Sequence, residues 1–463
     1  MEITKNLIEL TKKQGENAIV SLISNYKLDD SKVNFILENL GYLPNNFKGD
    51  WLFEYTQHSN TKMKLYAIKN IGKLKLNGKI QELMNLYEKE DKTEVRREII
   101  SSIGRQREKK TKDFFIKVLN DKDPKIVSQA IRALLIFKND IDIAKELRRL
   151  KNHENEMVRE MIAKEFFTED KVASKLHHTE TYNFLKNKIV HGDVSEIIKS
   201  IPEESVHLTF TSPPYYNARD YSIYPSYEDY LKFLDNVFKE VHRITKEGRF
   251  LVINASPIII PRISRQYSSK RYPIPFDLHA MIVNSGWDYI DDIIWQKPEA
   301  SVKNRIGGFK QHRKPLGYKP NTVTEMVMVY RKKTSKLIDW NIKQYSKDVV
   351  EKSKIKDEFE TTNVWKIDPK YSKNHSAVFP TELCKKVIEY YSFQGDLVFD
   401  PFAGSGTVGR VAKSLNRLFF LTELKDEYFE YMKTTKKESI FSSDFETTFL
   451  EYLEFKRISN DSN

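Results

Sequence analysis

Apolar residues in the first third of the chain recur with two periods at once. Within a window they follow helical spacing, as at Val95, Ile99, Ile100 and Ile103. The same set returns as Ile126, Ala130, Ile131 and Leu134, stands earlier as Met63, Ala67, Ile68 and Ile71, and recurs around Val158 and Ile162, a period of about 31–32 residues. A second apolar set follows each first one: Leu83, Leu86 and Tyr87, then Phe115, Val118 and Leu119. Two amphipathic helices per unit, each unit stacked on the next, satisfy this pattern, and a non-repeating helical bundle is the alternative. Such stacks offer surface rather than chemistry. After about residue 175 the pattern changes. Short β-rich runs at 189–191, 206–210, 249–253, 290–295, 326–330, 397–400 and 417–421 are each followed by a turn and a helical stretch. Alternating strands and helices predict a mostly parallel open sheet with helices on both faces.

Composition narrows the partners. The 463 residues suit two or three domains, and a hydrophobic fraction of 40% fills real cores. Lys+Arg 77 against Asp+Glu 65 leaves a formal charge of +12, which favours a polyanion, although a solvated lysine-rich surface has the same excess. One cysteine, Cys384, excludes a disulfide framework and any multi-cysteine zinc site, so no metal site is expected. The opening residues Met1-Glu2-Ile3-Thr4-Lys5 do not read as a signal peptide, and no apolar run is long enough to span a bilayer. The expectation is a cytoplasmic protein.

Two motifs carry the candidate chemistry. Thr211-Ser212-Pro213-Pro214-Tyr215 ends the run at 206–210, so a polar residue, two prolines and an aromatic stand at a strand's carboxyl end, where open α/β sheets bind ligands. The prolines fix φ and remove two donors, leaving carbonyls free to accept. This suits a planar ring bearing an amino group. Further on, Leu397-Val398-Phe399-Asp400-Pro401-Phe402-Ala403-Gly404-Ser405-Gly406-Thr407 reads strand, glycine turn, helix. With Gly409 it satisfies the weak dinucleotide pattern. Asp400 beside the glycines opposes a pyrophosphate and favours a cationic ligand such as S-adenosylmethionine, with Phe402 as an apolar wall. Glu423 closes the run at 417–421, where an acid takes ribose hydroxyls in either cofactor class.

Together these residues resemble the S-adenosylmethionine-dependent amino-methyltransferases of DNA. Ser212-Pro213-Pro214-Tyr215 is similar to their catalytic motif, and Asp400 to Thr407 to their cofactor motif. The catalytic motif comes first, the order of the permuted β class. The resemblance covers about residues 186–435. It implies a Rossmann-like methyltransferase domain over 176–440, with a target-recognition insertion at about 299–362 that holds Lys303, Arg305, Lys310, Arg313, Lys314 and Lys319. A second basic segment, 256–275, holds Arg262, Arg265, Lys270 and Arg271. Residues 1–175 resemble HEAT repeats, an all-α solenoid, and 441–463 read as a polar helical tail.

The resemblance also assigns roles. Asp193, in a turn with Gly192, matches the adenine contact, and Phe379, in the segment 375–380, a cover over the cofactor. Thr211, Asp400, Pro401, Phe402, Gly404, Ser405, Gly406, Thr407 and Glu423 complete the cofactor site. Ser212 would orient the target amine with the Pro213 carbonyl, and Tyr215 would stack on the base, with Tyr216 either a second wall or part of the sheet packing. Serine at the first tetrad position is the variant usual for N4-cytosine enzymes. N6-adenine methylation on the same scaffold, or a nucleic-acid-binding helical scaffold with an inactive methyltransferase domain, are the alternatives. C5-cytosine chemistry needs a cysteine nucleophile, and Cys384 lies away from the tetrad. Double-stranded DNA and a cognate restriction endonuclease are the expected partners. The repeat region would extend the DNA or partner footprint, meeting phosphates through Lys109, Lys110, Lys112, Arg148, Arg149 and Lys151, with a solvated edge or a surface for a protein partner as the alternatives.

Overall fold

In the computed structural model all residues are described except 1–2, 75–78, 168–175, 217–223, 261–263, 265, 268, 303–314, 317–319, 357–358, 373–374, 379, 436–446 and 463; at 370–372, 375–378, 435 and 462 the description is of the backbone alone. Phe379, Arg262, Arg265 and the six basic residues named in the target-recognition insertion therefore lie outside the described residues. The chain divides into two compact units, Met1–Lys171 and Val172–Asn463.

The first unit is helical: α1 (Lys5–Lys13), α2 (Glu16–Ser24), α3 (Asp30–Asn39), α4 (Leu52–Tyr55), α5 (Thr61–Ile71), α6 (Ile80–Lys89), α7 (Thr93–Arg105), α8 (Lys112–Val118), α9 (Pro124–Leu135), α10 (Ile141–Arg149) and α11 (Glu156–Phe166). Helices α3, α5, α7, α9 and α11 are the equivalent first helices of successive repeats. Asp29, Asn60, Asp123 and Asn155 stand before four of them and cap them through side-chain oxygens, each satisfying a first-turn backbone donor. The apolar sets read from the sequence are buried, including Ile68, Ile99, Ile100, Ile131 and Ile162 at 0% exposure. Neighbouring repeats are also tied by buried polar bonds: Asn70 Nδ2 donates to Leu37 O at 2.7 Å, and Ser102 Oγ to Ile68 O at 3.0 Å.

The basic residues expected to meet phosphates in this unit are engaged within it. Lys112 Nζ lies 3.1 Å from both Asp140 and Asp142, Lys109 pairs with Asp140, Lys110 with Glu108, and Arg149 with Glu146. Arg148 and Lys151 sit over the rings of Phe166 and Phe167.

The second unit is built on a nine-stranded sheet. Its strands are β1 (Lys188–His191), β2 (Val206–Thr211), β3 (Thr245–Ala255), β6 (Trp287–Gln296), β7 (Thr324–Lys332), β8 (Val364–Lys366), β11 (Leu397–Asp400), β12 (Leu418–Glu423) and β13 (Thr448–Glu451). Two short hairpins, β4 (Ile258–Ile260) with β5 (Lys270–Tyr272) and β9 (Lys370–Ser372) with β10 (His375–Val378), stand apart from it. The order is β13-β1-β12-β11-β2-β3-β7-β6-β8. The six strands from β13 to β3 are parallel, and β7 runs antiparallel to β3 and β6.

The helices are α12 (Val194–Ile197), α13 (Tyr227–Ile244), α14 (Ile274–Asn284), α15 (Ile338–Lys343), α16 (Lys347–Ser353), α17 (Thr381–Tyr391), α18 (Thr407–Ser414), α19 (Asp426–Thr435) and α20 (Tyr452–Ser462). Separate buried clusters cover the two sheet faces, one including Val237, Phe238, Leu251 and Ile253, the other Val252, Val387, Val408 and Val411. Central strands read as continuous apolar runs because both faces are covered. Cys384 is buried on α17. No described helix is long and apolar enough to cross a membrane.

One expectation needs correction. The segment beyond 440, read as a polar helical tail, contributes a sheet strand: β13 pairs in parallel with β1, and Leu450 is 3% exposed. A four-residue strand flanked by charge carries too little apolar periodicity to be read from sequence. Only its partner β1 makes it one.

Candidate active site

The sheet reverses its winding between β11 and β2. From β11 the chain crosses through α18 to β12 on one side, and from β2 through α13 to β3 on the other. The crevice outside the carboxyl ends at such a reversal is the usual ligand site of open α/β sheets. The two sequence motifs stand there, one on each strand. They are joined: Thr211 Oγ1 donates to Asp400 Oδ1 at 2.7 Å, a buried bond across 189 residues.

Asp400 Oδ1 also accepts from Phe402 N at 3.0 Å. Burial pushes the Asp400 carboxyl up to about 7, against the lowering effect of these two bonds. At 1% exposure it acts inside the protein, as the clasp between the two motifs.

The glycine turn is shaped by backbone. Gly404 and Gly406 have φ of 52° and 74°, the left-handed region open to glycine at little cost. A Cβ on Gly406 would stand 2.6 Å from Met432 Sδ. The turn is anchored to β12: Ala403 N donates to Thr422 O at 3.0 Å, Thr422 Oγ1 to Pro401 O at 2.8 Å, and Gly404 N to Glu423 Oε2 at 2.7 Å. Glu423 Oε1 accepts from Lys425 N at 2.9 Å, and burial pushes this carboxyl up. These backbone donors, with Leu424 N, do not exhaust a carboxylate's four lone-pair sites, so Glu423 keeps accepting capacity.

Asp193 is exposed at the end of β1, the strand whose His191 registers with Glu423, and its Oδ1 caps α12 through Ser195 N at 2.8 Å. Phe402 is half-buried with its ring centroid 6.1 Å from that of Phe233. Ser405 and Thr407 are buried, their hydroxyl oxygens 3.2 Å apart, and Arg410 Nη2 donates to Thr407 Oγ1 at 3.1 Å. Their side chains shape the start of α18.

In the tetrad, Pro213 is buried, while Ser212, Pro214 and Tyr215 are half-buried. The Ser212 hydroxyl has no hydrogen-bond partner among the described residues. The Tyr215 hydroxyl lies 3.5 Å from Glu325 Oε2. Tyr216, expected as a second wall or as packing, is 8% exposed and packs edge-on against Tyr227 and Tyr272. Sequence reasoning missed three polar residues close by: Asn254 at the end of β3, Glu325 on β7 and Lys297 after β6. A polar residue ending an apolar strand, as Thr211 does, was the available signal for Asn254.

Residues 206–434 match the family model for DNA methylase, of the N6 and N4 type, and 49–135 and 80–166 match HEAT repeats. The chain is 29% identical over 266 residues to the Type II beta methyltransferase M.BslI of Bacillus sp., a match spanning 54% of this chain and 28% of that one. It is 28% identical over 288 residues to the Type II methyltransferase M.Cfr9I of Citrobacter freundii, spanning 55% and 89%. Among solved structures it is similar to the S-adenosyl-L-methionine complex of a putative DNA modification methylase from Thermus thermophilus, at 27% identity, 57% and 98% coverage and a TM-score of 0.44.

Proposed function

We propose that this chain, whose residues 206–434 belong to the DNA methylase family, methylates the exocyclic N4 amine of a cytosine turned out of duplex DNA. The observation that carries this reading is the buried clasp that puts Ser212 one residue beyond Thr211, beside the glycine turn. The residues of the turn suit S-adenosylmethionine: left-handed glycines allow close backbone approach, Phe402 offers an apolar wall, and Glu423 and Asp193 have acceptor capacity for ribose hydroxyls and an adenine amine. Bound there, the cofactor supplies an electrophilic methyl group on a sulfonium.

The chain's own task is to make a poor nucleophile reactive. An exocyclic amine delocalises its lone pair into the ring. Ser212 Oγ and the Pro213 carbonyl accept its two N–H bonds, which favours a pyramidal nitrogen with its lone pair directed at the methyl carbon. With the cofactor bound, the N–C bond would form as the C–S bond breaks, and the nitrogen's proton would leave to water, because a serine hydroxyl is too weak a base to keep it. Positioning supplies most of such an acceleration. Tyr215 stacks on the ring after the base leaves the duplex. Basic residues of the 299–362 segment neutralise phosphates.

Serine at position 212 favours cytosine over adenine. M.BslI and M.Cfr9I are Type II methyltransferases, which supports a bacterial, cytoplasmic modification enzyme with a cognate restriction endonuclease. Mass spectrometry of digested DNA from cells expressing the chain tests the assignment. N4-methylcytosine is expected. N6-methyladenine alone moves the target to adenine, and 5-methylcytosine refutes the mechanism.

A further inference from the structure

We propose that Asn254 is a further substrate-facing residue, its side-chain carbonyl held by the Glu325–Lys297 pair as a fixed acceptor that admits amine-bearing bases and rejects bases with a carbonyl at that edge. This deepens the reading of residues 206–434 as an amino-methyltransferase and rests on it. β2 and β3 run in parallel, with Thr211 in register with Ile253. Asn254 is the next residue of β3, and Ser212 follows the last residue of β2, so the two stand side by side at the strand ends.

Asn254 is 3% exposed, and its Nδ2 donates to Glu325 Oε2 at 2.7 Å. Its Oδ1 is buried with no hydrogen-bond partner among the described residues. A buried carbonyl left without a donor is costly and marks a place where a ligand atom belongs.

The amide cannot reverse freely. Glu325 Oε1 is paired with Lys297 Nζ, so the carboxylate presents acceptors only and must face the NH2 end of Asn254. Lys297 is itself held, with its Nζ 4.5 Å from the centroid of the Trp295 ring, whose Nε1 donates to Ile367 O at 2.8 Å. Tyr215 reaches the same carboxylate oxygen at 3.5 Å. Lys297 and Glu325 are thus positioning residues, acting on the base through Asn254 and Tyr215.

Ser212 Oγ, the Pro213 carbonyl and Asn254 Oδ1 then form a wall dominated by acceptors. An amine meets it with two N–H donors, one of them shared between Asn254 Oδ1 and a neighbouring acceptor in a three-centre bond. A thymine or uracil carbonyl meets it with lone pairs against Asn254 Oδ1, which Glu325 keeps from turning. Discrimination arises because one orientation of the amide is withheld.

The test uses the full chain and duplexes that carry the methylated site, with cytosine or uracil at the target position. Wild type is expected to bind the cytosine duplex more tightly by roughly ten- to hundredfold, the worth of one such polar contact. Asn254→Ala should erase that preference and lower kcat, with melting temperature and S-adenosylmethionine affinity kept. Glu325→Gln, which can donate as well as accept, should weaken the preference by letting the amide turn. A folded Asn254→Ala with unchanged preference and kcat overturns the proposal, and so does an unchanged Glu325→Gln should the alanine variant not fold. Failure of the underlying reading is distinct: wild type itself would then neither bind S-adenosylmethionine nor leave a methylated amine.

Discussion

The helical unit and the sheet unit use buried polar groups in opposite ways. In the repeats, such bonds join one unit to the next: Asn70 to Leu37 and Ser102 to Ile68 span 33 and 34 residues, close to one period. In the sheet unit the bonds that make the site span 189 residues from Thr211 to Asp400 and 71 from Asn254 to Glu325. A stack of near-neighbour contacts tolerates a local loss, because each repeat is supported from both sides. A site assembled from distant strands concentrates its function in a few atoms. In the repeats, the lysines and arginines expected to meet DNA also contact acids and rings of the same unit.

The comparison breaks most sharply at Ser212. Ser212→Ala should lower kcat by roughly a hundred- to a thousandfold, the range for a lost group that acts on the reacting atoms, while isothermal calorimetry finds cofactor affinity nearly unchanged. Comparable loss of affinity would mean that the tetrad and the glycine turn are not separable. Next comes Gly406→Val. A branched side chain at φ 74°, with its Cβ 2.6 Å from Met432 Sδ, should weaken S-adenosylmethionine binding by roughly ten- to a hundredfold, and retained affinity would show that this turn does not hold the cofactor.

A subtler probe is pH. The folded Asp400 carboxyl sits at about 7, above the ordinary 3.8, so it contributes most stability below about pH 4 and that contribution is lost as pH rises through about 7. Asp400→Asn lacks this titration. The melting temperature of wild type relative to the variant should fall by several degrees, roughly, between pH 5 and 8, and a constant difference would place the carboxyl in the ordinary range. The smallest effect is expected in the repeats. Asn70→Ala should cost about 1–2 kcal/mol in denaturant unfolding and leave methyl transfer unaltered. A matching loss of activity would tie the helical unit to catalysis.

Much of the architecture was legible in advance, for reasons particular residues make clear. The helices α5, α7 and α9 could be read because Ile68, Ile100 and Ile131 recur at helical spacing on one buried face. The strands β2, β3 and β11 could be read because sheets covered on both faces need unbroken apolar runs. The strand β13 was missed because Thr448–Glu451 has one buried apolar side chain and depends on β1 to be a strand at all. Tyr216 stayed open between a wall and packing because adjacent aromatics in a loop have no fixed period, and packing against Tyr227 and Tyr272 turns it inward.

By itself the sequence determined what neighbouring residues can encode: the repeat period, the strand–turn–helix around Gly404 and Gly406, and the rigid Ser212-Pro213-Pro214-Tyr215 platform. Each depends on backbone preference and side-chain spacing over a dozen residues or fewer. Tertiary structure alone decided which platforms became neighbours. It put β2 between β11 and β3, and so gave Thr211 the Asp400 carboxylate and Tyr215 the company of Glu325, the acid that also holds Asn254 and Lys297. Strand order is set by the burial of both sheet faces and by the crossovers of α13 and α18, which are properties of the whole unit. No local pattern in the chain states them, so the polar partners they bring together could not be read from the residues one segment at a time.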